Sequence, residues 1–143
     1  MQATTDQLTT ATHIDAPIDD VWKAITTPEQ IRQWFFGVDT SSDWKVGGSL
    51  VHTGEYQGKP YVDKGEILRI DPPRLLEHSH WSDGSGTTDR PEAYQVVTWE
   101  LTERDRGTEL RITETNLPSR EAAETSEQAW KAALSKLKEL LEG

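Results

Sequence analysis

The feature that most constrains this chain is one long amphipathic stretch at its C-terminal end, with nothing comparable ahead of it. Ala129, Trp130, Ala133, Leu134, Leu137, Leu140 and Leu141 recur at the three- and four-residue spacing of a single helix face, with Lys and Glu opposite. A helix from Ser126 to Leu141 would be roughly 24 Å long at 1.5 Å per residue. Thr125 and Gln128 can form a capping box at its start, and Ser119 to Glu124 can extend it backwards. An apolar stripe of this kind has to be buried against another layer. The rest of the sequence offers only strands for that purpose.

Gln7 to Asp15 reads as the first strand, with Leu8, Thr10, Thr12 and Ile14 alternating with Thr9, Ala11 and His13. After Ala16-Pro17 the period changes. Pro17 suits a first helical position, Asp19 and Asp20 favour a helix N-terminus, and Ile18, Val21, Trp22 and Ile25 make an apolar stripe. Thr27-Pro28-Glu29-Gln30 predicts a second short helix, capped by Thr27 with Gln30 reaching back, and ended by Gly37. Strands then follow over Ser49 to Tyr56, Tyr61 to Ile70, Arg74 to Trp81, Ala93 to Thr102 and Thr108 to Thr115. Asp71-Pro72-Pro73 closes one of them because proline cannot continue a ladder. The polar segment Ser82 to Glu92 is long for a hairpin and predicts a mobile flap. About six strands joined by short turns imply an antiparallel sheet and an α+β fold. A curved sheet gripping one long helix leaves a space between the two layers. That space is the candidate site.

At 143 residues the chain is one domain. Acidic residues outnumber basic ones 25 to 15, for a formal charge of -10. Nucleic acid and anionic membranes both call for clustered Lys and Arg, so neither is expected as a partner. Cysteine is absent, which excludes disulfides, thiolate metal sites and cysteine nucleophiles. No apolar run nears membrane-spanning length and the N-terminal residues carry no leader pattern, so the expected location is the cytoplasm. Gly-x-Gly-x-x-Gly, Gly-x4-Gly-Lys-Ser/Thr and Gly-x-Ser-x-Gly are all missing, since Gly84-Ser85-Gly86 has the wrong spacing.

Ile14-Asp15-Ala16-Pro17-Ile18-Asp19-Asp20-Val21-Trp22, followed by Thr27-Pro28-Glu29 and Trp34-Phe35, resembles the opening of the START-like (SRPBCC, Bet v-like) superfamily. Within it the pattern is most similar to homologues of the activator of the heat-shock protein 90 ATPase. Val46-Gly47-Gly48, the run Gly65 to Leu75, Gly107-Thr108 and the closing run Ala129 to Leu137 extend the match to nearly the whole chain. The resemblance implies a helix-grip fold with an apolar cavity that in relatives holds lipids, hormones or polyketides. It departs from the family at Ala129, where a glycine commonly precedes the last-helix tryptophan. Relatives that stimulate the chaperone ATPase carry an additional chaperone-binding domain ahead of this one. Only a short stretch precedes the first expected strand here, so the expectation leans away from co-chaperone activity.

His78-Ser79-His80 places two imidazoles on one sheet face, and His52 could add a third from a neighbouring strand. Hydrogen-bonded histidines are the alternative, and no metal or other cofactor is expected. Glu66 shares a strand face with Leu68 and Ile70, and Glu114 continues the face of Leu110 and Ile112. A carboxylate on an apolar face can act as a general acid or anchor a ligand, unless it lies at a strand end in water. Trp34, Phe35, Phe36, Trp81, Trp99 and Trp130 are candidates to line the cavity, with Tyr94 a further polar group beside them. The resulting expectation is a binding module, monomeric or homodimeric, that holds a small hydrophobic or amphipathic molecule between sheet and last helix. No catalytic residue is assigned. A cyclase- or hydrolase-like enzyme would need a His and a carboxylate within hydrogen-bond reach inside the cavity.

Overall fold

The structure is a computed structural model, and it describes residues 6–83 and 87–142. Strand β1 (Asp6–Ile14) leads into helices α1 (Ile18–Thr26) and α2 (Pro28–Trp34). Strands β2 (Asp39–Ser42), β3 (Ser49–Tyr56), β4 (Lys59–Asp71) and β5 (Leu75–Ser82) follow. After a short 3₁₀ turn at Pro91–Ala93 come β6 (Gln95–Arg104), β7 (Gly107–Leu117) and the long helix α3 (Arg120–Glu142).

All strand pairs are antiparallel, in the order β1-β7-β6-β5-β4-β3-β2. Helix α3 lies across this sheet and buries Ala123, Ala133, Leu134 and Leu137. Helices α1 and α2 bury Ile18, Val21, Ala24, Ile25, Ile31 and Trp34 into the same core. Two contacts fasten the far end of α3. Lys138 Nζ donates to the His13 carbonyl at 2.6 Å, and the Asp15 amide donates to Glu142 Oε2 at 2.9 Å. The architecture is the helix-grip fold expected from the sequence.

The differences from expectation are local. There are seven strands, because Asp39–Ser42 adds an edge strand to β3. Its four polar residues give no apolar alternation to read. Neither expected capping box forms. Thr27 makes no side-chain cap bond, and α3 already begins at Arg120, so Thr125 lies within it. The first turn of α3 is held instead by Ser119 Oγ, which accepts from the Ala122 amide at 3.0 Å. Of the expected flap, residues 84–86 lie outside the described residues. The flanking residues are tied down: Trp81 donates to Thr87 Oγ1, and Lys64 pairs with Asp89 at 2.5 Å.

Register explains which side chains face α3. One cross-strand row runs Ile67, His78, Val97, Glu114 and Leu8, from β4 to β1. A second runs Thr40, His52, Asp63 and Ser82, from β2 to β5. A register shift between Ile67 and Arg69 changes the phase of β4, so Ile67 and Ile70 both reach the core although they are three apart.

Candidate functional site

Between the sheet and helices α2 and α3 lies a cavity of about 700 Å³, within the range of small-molecule sites. Its aromatic wall is a closed ring of four side chains from three elements. Trp34 and Phe35 lie 5.2 Å apart, Phe35 stacks on Trp130 at 5.9 Å, Trp130 meets Trp99 edge-on at 5.2 Å, and Trp99 meets Trp34 at 6.2 Å. Each indole N–H has an acceptor: Trp34 donates to the Ala24 carbonyl, Trp99 to His78 Nε2 and Trp130 to Glu114 Oε1. These bonds fix the ring planes.

The polar groups come from the two cross-strand rows and from His80, which pairs with Gln95 between them. Glu114 is buried, 4% exposed, and its Oε1 accepts from Ser126 Oγ at 2.5 Å and Trp130 Nε1 at 3.1 Å. His52 Nδ1 bonds with Thr40 Oγ1 at 2.8 Å. Burial pushes the His52 pKa down to about 4, against the opposing pull of Asp63. Burial likewise pushes His78 down to about 3, so both imidazoles stay neutral near pH 7. His80 behaves differently. Burial would lower its pKa, but the hydrogen bond and charge of Asp63, with help from Glu114 and Gln95, outweigh that and hold it above 6.5. Burial would raise Asp63 in turn, and His80 and Ser82 together hold it below 3.8. His80 Nε2 and Asp63 Oδ2 are 3.4 Å apart, an imidazole–carboxylate pair set into the cavity wall.

The structure brings together Trp34, Phe35, His52, His78, His80, Trp99, Glu114 and Trp130, all of which line the cavity. Phe36, Trp44 and Tyr61 line it as well. Glu66, Trp81 and Tyr94 do not. Glu66 is exposed because the inward face of β4 runs through Tyr61, Asp63 and Ile67, and the bulge that follows reverses the phase on which Leu68 and Ile70 were matched to it. Trp81 alternates with the inward His80, so it points to the opposite side, where it stacks on Tyr94 at 6.3 Å beneath Lys64. Glu66 and Tyr94 border a separate, shallower recess with Lys64 and Asp89. The three inward histidines do not form a metal-ligand set among the described residues. His78 in particular commits both ring nitrogens, to Trp99 and to the Ser79 carbonyl. The sequence reading missed Trp44, Tyr61 and Ser126 in the lining and, most consequentially, Asp63. Its position two residues beyond Tyr61 on an alternating strand was the available signal.

The sequence profile of the family described as Activator of Hsp90 ATPase homolog 1-like protein matches residues 15–142. The chain belongs to this family. Among solved structures, this family member is similar to ChR145 from Cytophaga hutchinsonii, at 39% identity and a TM-score of 0.83, over 99% of this chain and 97% of that one. CalU16 from Micromonospora echinospora is 29% identical with a TM-score of 0.72, over 93% of this chain and 74% of that one. The Aha1 dimer from Colwellia psychrerythraea has a TM-score of 0.74 over 96% of both chains, and at 19% identity that likeness is one of fold. A search of curated proteins found no match. Among the described residues, no helix of this Hsp90-activator-homologue chain is long and apolar enough to cross a membrane.

Proposed function

We propose that this protein binds a small hydrophobic or amphipathic molecule, lipid- or polyketide-like in size, in the cavity between the sheet and α3. The observation that carries this reading is the 700 Å³ hollow walled by the Trp34, Phe35, Trp99 and Trp130 ring. A body lying against those rings gains about 25 cal/mol for each Å² of apolar surface it removes from water. Glu114 and the His80–Asp63 pair supply the few convergent polar groups that orient a ligand in such a site. The test is displacement of an apolar fluorescent dye from the purified protein, with native mass spectrometry for co-purified species. One saturable site is expected, weakened by Phe35→Ala and blocked by Val97→Phe, which grows into the hollow. Dye binding untouched by Val97→Phe, in a variant that keeps its cooperative melt, contradicts the reading.

A second reading is favoured by one observation. His80 and Asp63 place an imidazole and a carboxylate together on the cavity wall, as an acid–base enzyme requires. Turnover of a bound ligand that is lost in His80→Gln while binding persists would support a cyclase- or hydrolase-like activity. The family match also supports a chaperone-linked role. Stimulation of the chaperone ATPase by the purified protein would establish it, and its absence would remove it.

A further inference from the structure

The charge of the cavity wall is one-sided. Glu55, Asp63 and Glu114 line the hollow, and no lysine or arginine does so among the described residues. The one imidazole in the wall whose pKa is raised, His80, already has Asp63 as its partner at 3.4 Å. His52 and His78 are neutral and bring no positive charge. Glu114 therefore has no lysine or arginine beside it in the cavity wall among the described residues. Both of its hydrogen bonds end on Oε1, leaving Oε2 without a protein donor among the described residues.

The walls next to Glu114 favour the same sign of ligand. Trp130, whose indole N–H meets Glu114, stacks on Phe35 and meets Trp99 edge-on. Aromatic faces attract ammonium groups by about 0.5–1 kcal/mol when exposed and about 2 kcal/mol or more when water is excluded. A carboxylate or phosphate placed here would find no lysine or arginine and would face Glu114 at reduced dielectric. An ammonium would find a carboxylate acceptor and a ring wall in one place.

We infer that the ligand is a hydrophobic amine, with its apolar body against Trp34, Trp99 and Trp130 and its ammonium group received by Glu114. This assignment rests on the binding reading above and adds the chemistry of the ligand's polar end. It is tested by calorimetry with three ligands that share one body: 2-(1-naphthyl)ethylamine, 1-naphthaleneacetate and 2-(1-naphthyl)ethanol, at neutral pH in about 0.15 M salt, where long-range surface charge is largely screened.

The amine is expected to bind one-to-one and about tenfold or more tighter than the carboxylate, with the alcohol between them. Glu114→Gln should bring the amine to within about threefold of the alcohol when both are measured on that variant. Should that variant not fold, the wild-type protein carries the test through intermolecular NOEs, expected between the ligand's amine-bearing methylene and the Trp130 indole N–H. A carboxylate that binds as tightly as the amine overturns the assignment. So does an amine advantage that survives Glu114→Gln, or NOEs confined to Phe36 at the mouth. If the alcohol binds and the amine has no advantage, the amine assignment fails and the binding function stands. If none of the three binds and nothing co-purifies, both fail.

Discussion

Trp99 on β6 donates its indole N–H to Nε2 of His78 on β5 at 2.9 Å, between two buried side chains. Because Nε2 accepts there, the proton of a neutral His78 sits on Nδ1, which donates to the Ser79 carbonyl at 2.9 Å. The expected nitrogen NMR signature is a single neutral Nδ1–H tautomer that persists at pH 5, well above its lowered pKa of about 3. A His78 ring that titrates near 6.5 would contradict this geometry.

Acid should destabilise the protein earlier than its carboxylates alone would. His52 and His78 have folded pKa values of about 4 and about 3, against 6.5 when unfolded, so between those limits the unfolded chain binds the extra protons. Stability therefore falls as pH drops below 6.5, by up to about 1.4 kcal/mol per pH unit for each histidine. His80 works in the opposite sense. Its raised pKa gives stability that is present below 6.5 and lost as pH rises through the folded value. Urea melts from pH 7 to 4 check the balance, and replacing both His52 and His78 with Gln should flatten the acid side. An unchanged acid slope in that double variant would count against the assignment.

Gly65 should tolerate no side chain. A Cβ built there would lie 1.7 Å from the Ser79 carbonyl oxygen, a backbone atom that cannot swing aside. Gly65→Ala must push β4 and β5 apart next to Asp63 and His80, with an expected loss of about 1–3 kcal/mol or more in urea denaturation. Loss of less than about 0.5 kcal/mol would mean the two strands are not this close.

Phe36 predicts a separation of stability from binding. It is 52% exposed, at φ 54, in the left-handed region that phenylalanine rarely occupies, and it lines the cavity mouth. A large ring held there costs about 1–3 kcal/mol of backbone strain. Phe36→Gly should therefore leave the melting temperature unchanged or raise it, while weakening dye binding severalfold. A clear loss of stability with binding intact would reverse the roles assigned here.

Much of the frame was legible because it rests on period. The stripe from Trp130 to Leu141 and the shared face of Leu110, Ile112 and Glu114 survive into the structure, since one long helix and a half-buried sheet must bury what they repeat, while Ala129 at the stripe's start is exposed. Legibility failed where period is interrupted or carries no apolar signal. The bulge after Ile67 reversed the face on which Glu66 was placed. Strand β2 is made of Asp39, Thr40, Ser41 and Ser42, and only pairing with β3 reveals it. Trp81 was placed by its chemistry although alternation with His80 sets it on the other side. The stack of Phe35 on Trp130 joins α2 to α3 across most of the chain, a distance that no local spacing encodes.

The most direct measurement is a crystal structure of the protein soaked with 1-bromonaphthalene, located by the anomalous signal of bromine. The account predicts one dominant peak enclosed by Trp34, Trp99 and Trp130, with α3 still seated on the sheet. Side chains collapsed into that space, or bromine found only on the outer face beside Trp81 and Tyr94, would contradict it.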